Sequence, residues 1–180
     1  MRTRKISNEV CVADDAIVKL GRDEMDALKQ ALADAPRGRT RLCAHRDVGD
    51  ALHEMLIALK RDVYIRPHKH LGKSESFHVI EGIADVVVFD DSGTIAEVIP
   101  MGDYASGRMF YYRLSQPAYH TLLIRSDLLV VHETTSGPFR KEETVFPSWA
   151  PEETEALAGQ RFMKNLSGAV DQFTSKSRSA

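Results

Sequence analysis

The chain has 180 residues, 43% hydrophobic, 28% charged and 7% aromatic, with a formal net charge of −2. That is long enough for one domain with its own core, and the near-neutral balance without a Lys/Arg block argues against a nucleic-acid partner. No apolar run approaches the ~18–20 residues of a membrane span. The N-terminal MRTRKISNEV has no apolar stretch behind its basic residues, so neither a secretory signal nor membrane association is expected. Cys11 and Cys43 form no C-x-x-C pattern and are expected as buried free thiols in a reducing cytoplasm.

In chain order, VCVADDAIVKL (10–20) can make one or two short strands around Asp14 and Asp15. DEMDALKQALADA (23–35) reads as a helix, with Met25, Leu28 and Leu32 on one face and acids in its first turn. Pro36 and Gly38 stop it. From about residue 41 the texture turns to short strands: 53–61, 62–70, 76–82, 83–90, 94–100, 110–114, 120–124 and 127–135. DDSG (90–93) is a hairpin turn. This spacing predicts a sandwich or small barrel. The run LLVV in the last strand is apolar on both faces, so a second sheet, a helix or a partner subunit must cover the outside. Residues 136–151 read as irregular, with Phe146 and Trp149 as anchors; 152–166 can form a short helix, and the Ser-rich 174–180 reads as a disordered tail. The expected division is an N-terminal extension (1–40), a barrel (41–151) and a C-terminal helix with tail (152–180).

The stretch RPHKHLGKSESFHVIEG (66–82) carries the chemistry. Alternate side chains of a strand share a face, so His68 and His70 point together, with Tyr64 and Arg66 expected on the same face. After the loop LGKS, Glu75 opens the next strand and a hairpin returns it beside the histidines. Two imidazoles and a carboxylate converging are a site for a divalent first-row metal. The alternative is a polar cluster satisfied by hydrogen bonds, at a cost unless fully paired. Gly82 permits the tight turn that follows. His120, after the turn SQPAY, is the best fourth ligand if the sheet closes on itself. Of His132 and Glu133, only one can face the cavity, and Glu133 is a candidate general base. Tyr64 is a second catalytic candidate. Arg66 and Lys73 are candidates for holding a substrate anion. His78 is expected to face away from the metal, and His45 and His53 to play structural roles.

The pattern H-x-H-x4-E-x6-G (His68, His70, Glu75, Gly82) resembles the first cupin motif, and SQPAYH (115–120) resembles the second. HEMLIAL (53–59), the 66–82 stretch, FDDSG (89–93), HETTSGPF (132–139) and WAPEE (149–153) are similar to WbuC-like cupins, associated with bacterial O-antigen gene clusters. The resemblance departs at Asp62, where the family has Gly, and at Ser115 and Ile124 in the second motif. It implies a mainly β fold, the cupin double-stranded β-helix or jelly-roll barrel, with an N-terminal helix and a short C-terminal one. It also implies one metal (Zn, Fe, Mn or Ni) held by His68, His70, Glu75 and His120, and a homodimer. Three functions stay open: a metal-dependent isomerase, epimerase or dioxygenase for a small, carbohydrate-like molecule; a non-catalytic module binding a sugar or anion; and a purely structural metal.

Overall fold

The computed structural model describes residues 1–177. The chain opens with a hairpin, β1 (Thr3–Lys5) and β2 (Val10–Ala13), followed by α1 (Arg22–Ala33). Asp23 and Glu24 sit in the first turn of α1, where the exposed backbone N–H groups favour anions, and Glu24 accepts from the Gly21 N–H at 2.9 Å. β3 (Arg39–Cys43) and β4 (Leu52–Lys60) follow. Next come β5 (Lys69–His70), β6 (Glu75–Glu81), β7 (Ile83–Phe89) and β8 (Ile95–Gly102). β9 (Tyr111–Leu114), β10 (Tyr119–Ile124), β11 (Leu128–Ser136) and β12 (Thr144–Val145) complete the strands. The chain then enters α2 (Ala156–Ser177).

The strands form two facing sheets. The larger has the order β1-β2-β3-β4-β11-β6-β9 and the smaller β10-β7-β8, with β12-β5 as a separate pair. After β1–β4 in the large sheet, the chain crosses between the sheets repeatedly from β6 to β11, as in a jelly roll. The inner faces share one apolar core that includes Met55, Ile57, Phe77, Val79, Val86, Leu122, Leu129 and Val131. The doubly apolar strands have separate covers. On the outside of the large sheet, Leu28 and Leu32 of α1 pack on Leu42, Leu56, Ala58 and Val130. On the outside of the small sheet, Leu166 and Val170 of α2 pack on Val87, Phe89 and Leu123.

The N-terminal hairpin is built into the barrel sheet: β2 lies parallel to β3, with Val10 opposite Arg41 and Val12 opposite Cys43. Other boundaries differ from the sequence reading. Within 62–70 only Lys69–His70 forms a strand, because Pro67 has no N–H for a ladder and is fully buried. The C-terminal helix starts at Ala156 and runs through Ser177, so 174–177 are helical and not tail; its Leu166 and Val170 have a sheet to cover. Residues 178–180 of the expected tail lie outside the described residues. Trp149 anchors its segment against Phe89 and Tyr119, whereas Phe146 is 44% exposed.

Gly82 is the corner between the two sheets. It has φ +95°, a conformation that L side chains rarely adopt, and a Cβ there would overlap the Leu128 carbonyl oxygen. Strain and overlap act together, so Gly82→Ala is expected to destabilise by about 3 kcal/mol or more. The unfolding midpoint in urea measures this; a change under about 1 kcal/mol would show that the corner relaxes freely.

Candidate metal centre

Each of the four residues is delivered by a different piece of backbone. His68 forms an isolated bridge with His120 of β10, exchanging N–H···O bonds of 3.1 and 2.9 Å. His70 lies in β5, opposite Thr144 of β12. Glu75 is the first residue of β6. One ligand atom from each of His68, His70, Glu75 and His120 lies within 4.8 Å of all the others. Ligands on opposite sides of a divalent ion are about 4.2 Å apart, so a small inward movement would close the group around one.

The hydrogen bonds decide which nitrogen faces the centre. His68 Nδ1 is 2.9 Å from the Arg66 carbonyl, and His120 Nδ1 is 3.0 Å from the Ala118 carbonyl. A carbonyl only accepts, so each Nδ1 carries a proton and each Nε2 turns inward. His70 Nδ1 is 3.3 Å from Thr144 Oγ1. Fixing the outer nitrogen in this way orients an imidazole as a metal ligand. The residues therefore fit a metal: three oriented Nε2 donors and one carboxylate.

Glu75 also links the group by hydrogen bonds. Its Oε2 is 3.1 Å from His70 Nε2, its Oε1 is 3.1 Å from His120 Nε2, and Tyr112 donates to Oε1 at 3.4 Å. Burial works to raise the Glu75 carboxyl, but the bonds and charges of His120 and His70 outweigh it and hold it far below the usual range. Burial works to lower His120, and Glu75 reverses this and raises it. For His68, burial and then the charge of His120 outweigh the pull of the Glu75 charge and push it down to about 4, so it is neutral at pH 7. Glu75 and His120 are buried, while His68 and His70 keep some accessible surface, so the group opens on their side.

Alternation on β11 places Glu133 inward and His132 outward, where His132 nears Glu54. Glu133 lies opposite Phe77 on one side and Met55 on the other, and Glu75 lies opposite Thr135. Glu133 is thus the diagonal neighbour of Glu75 on one face, about 7–8 Å away between backbones. Burial, then the Glu75 charge, raise the Glu133 carboxyl to about 8. Among the described residues it has no hydrogen-bond or ion-pair partner, although some of its surface is accessible.

The structure brings His68, His70, Glu75 and His120 together and sets Glu133 beside them. It does not bring Tyr64, Arg66 or Lys73 to the group. Val63 and Ile65 face the core, so Tyr64 and Arg66 face the other way, and the alternation shifts at buried Pro67 before His68. Tyr64 packs on Phe162 and donates to the Pro151 carbonyl at 2.8 Å; burial raises its hydroxyl to about 12, unsuited to proton transfer at neutral pH. Arg66 pairs with Glu152 and lies over Phe146. Lys73 pairs with Glu143 at 3.1 Å and donates to the Pro138 carbonyl. His78 is on the outer face against Phe110, as alternation predicts, and His45 stacks on His53. The sequence reading missed Tyr112 and Thr144. In FYYRL three successive aromatics hide which one points inward, and no local pattern marks Thr144.

The fold is the cupin double-stranded β-helix, mainly β with a helix outside each sheet, and it carries a three-histidine, one-carboxylate group able to hold a metal ion. It is similar to protein SO0799 from Shewanella oneidensis, with a TM-score of 0.53, 11% identity, and 72% of this chain and 85% of that chain covered. It is equally similar to the salicylate 1,2-dioxygenase of Pseudoaminobacter salicylatoxidans, with a TM-score of 0.53, 14% identity, and 72% of this chain and 37% of that one covered. A sugar phosphate isomerase from a cupin superfamily of Silicibacter pomeroyi is a looser match, with a TM-score of 0.38, 18% identity, and 49% and 52% of the two chains covered. The family described as a domain of unknown function (DUF6016) matches residues 20–101, a little under half of the chain. No curated protein matches the sequence. At these identities the likenesses speak to fold alone.

Proposed function

We propose that this protein is a metal-dependent enzyme acting on a small, oxygen-rich molecule, with Glu133 as the acid–base group beside the metal. One observation carries the reading: a carboxyl without a partner sits diagonal to the metal-binding carboxylate, on the same inward face, and keeps its proton up to about 8. An inert buried carboxyl would be costly without hydrogen bonds, and a group titrating near neutrality suits proton transfer. A divalent cation on His68, His70, Glu75 and His120 would supply Lewis acidity toward a carbonyl or hydroxyl. Deprotonated Glu133 then takes the proton from the carbon next to the carbonyl, and protonated Glu133 returns it. That is isomerase or epimerase chemistry; iron in the site would favour the dioxygenase alternative.

The finer reading, a carbohydrate-like substrate in O-antigen or other surface-polysaccharide metabolism, rests on the motif resemblance to WbuC-like cupins. The same resemblance supports a homodimer. A cytoplasmic location rests on the free Cys11 and Cys43. No described helix is long and apolar enough to cross a membrane.

Elemental analysis of the untagged protein tests the base of this reading. About one equivalent of a transition metal is expected in the parent and in His78→Ala, and little in His70→Ala. Glu133→Gln is expected to keep the metal and lose turnover on any substrate found, by about 100-fold or more. No metal in the parent, even after reconstitution, would instead favour a non-catalytic module that binds a sugar or anion.

A further inference from the structure

The inward face of the large sheet carries one more polar group that the metal and its acid–base partner do not use. Arg41, on β3, is opposite Ile57 of the core, so its side chain enters the barrel beside Cys43. The other arginines of this side are paired: Arg37 with Glu9, Arg39 with Glu153 and Arg66 with Glu152. Arg41 is half-buried, and among the described residues its one side-chain polar contact is Met55 Sδ, at 3.8 Å. A guanidinium half out of water without a carboxylate is an incomplete arrangement.

Register places this guanidinium. Met55 is directly opposite Glu133, and Glu133 is diagonal to Glu75. Glu75, Glu133, Met55 and the head of Arg41 thus form a row across β6, β11 and β4. Two strand spacings and a two-residue offset along the strands separate its ends, about 12 Å. Arg41 and Glu133 face one interior but form no ion pair. A small molecule spanning that row would chelate the metal at one end and carry an anion at the other.

We propose that Arg41 is the anchor for a substrate carboxylate, so that the substrate is a small acid holding the metal at one end and Arg41 at the other, with Glu133 at its middle. The planar fork of arginine matches a carboxylate in a bidentate pair. This rests on the metal-centre reading above, and it turns a carbohydrate-like substrate into an acidic one, such as a sugar acid or a hydroxy or oxo acid.

Probes that share a chelating head separate the two readings. Cobalt(II)-reconstituted protein is titrated with 2-oxobutyrate, 2-oxoglutarate and 2-oxoadipate, and the visible absorption of the cobalt is followed. The three acids share the 2-oxo-carboxylate head, and only the last two add a distal carboxylate. At least one of these two is expected to bind about tenfold or more tighter than 2-oxobutyrate. Arg41→Gln should remove that preference at unchanged cobalt stoichiometry and unchanged 2-oxobutyrate affinity, and Arg41→Lys should restore part of it. Equal affinities in the parent, no binding of any of the three by the cobalt protein, or a preference that survives Arg41→Gln would overturn the anchor. The comparison in the parent decides even if Arg41→Gln fails to fold. Failure to take up cobalt would overturn the metal-centre reading itself, and the anchor with it.

Discussion

Glu75→Gln is expected to be the most damaging single substitution in the protein. With metal available, it removes the sole anionic ligand, and affinity should fall by more than about 100-fold, since even losing a supporting hydrogen bond costs 10–100-fold. With metal chelated, it removes the charge and one of the two acceptor oxygens that His70, His120 and Tyr112 share. Breaking a buried charge pair costs about 3–5 kcal/mol. The cost depends on pH with a fixed sign. His120 is raised above 6.5, so its contribution is full below 6.5 and fades as pH rises through its folded value. Glu75 is depressed below 4.5, so its contribution is full above 4.5 and fades as pH falls toward its folded value. The two overlap between about 4.5 and 6.5. Urea unfolding of chelator-treated protein should therefore show the largest loss near pH 5.5 and a smaller one at pH 8. An equal loss at both would mean that the histidines are not charged partners of Glu75.

The second large effect has the opposite direction. Glu133→Gln is expected to stabilise the metal-free protein at alkaline pH. The Glu133 carboxyl rises from an ordinary 4.5 to about 8, through burial first and Glu75 second. Between those values the unfolded chain has released its proton and the folded one has not, so folding is progressively disfavoured as pH rises. Glutamine has no proton to lose, so its advantage is near zero at pH 4.5 and reaches a few kcal/mol by pH 8. His68, depressed to about 4, makes both proteins lose stability as pH falls below 6.5, and this cancels in the difference. Unfolding curves at pH 4.5 and 8 for parent and variant check it; a constant difference would remove Glu133 as a group titrating near neutrality. Metal should shrink the gap, because a cation beside Glu133 favours its charged form. The group that weakens the fold is thus the one proposed to do the chemistry, a common exchange at functional sites.

Several parts of this arrangement are local, and local order is what a sequence prints. The β7–β8 hairpin closes on DDSG, and Gly93 has the positive φ, 89°, that such a turn needs. Gly82 marks the corner between sheets for the same reason. The 3.6-residue spacing of Leu28 and Leu32 makes a helix with one buried face. The spacing of His68, His70 and Glu75 makes a hairpin with three donors, and alternation sets His78 outward and puts His132 and Glu133 on opposite faces. The doubly apolar LLVV called for a cover on each face.

Tertiary structure decided everything that depends on which backbone lies opposite which. Alternation holds only while a strand stays paired, so it failed across Pro67 and carried Tyr64 and Arg66 to the wrong face. That α1, and not a partner subunit, covers Val130 was set by the path of the chain through the sheet. Glu75 meets His120, 45 residues away, only because β6 of the large sheet and β10 of the small sheet face each other. The row from Glu75 through Glu133 and Met55 to Arg41 needs the register of four strands, and no periodicity within one strand contains it. The residues by themselves thus determined the group able to hold a metal and the kind of fold. The pairing of distant strands determined which other polar groups share the inward face with that group.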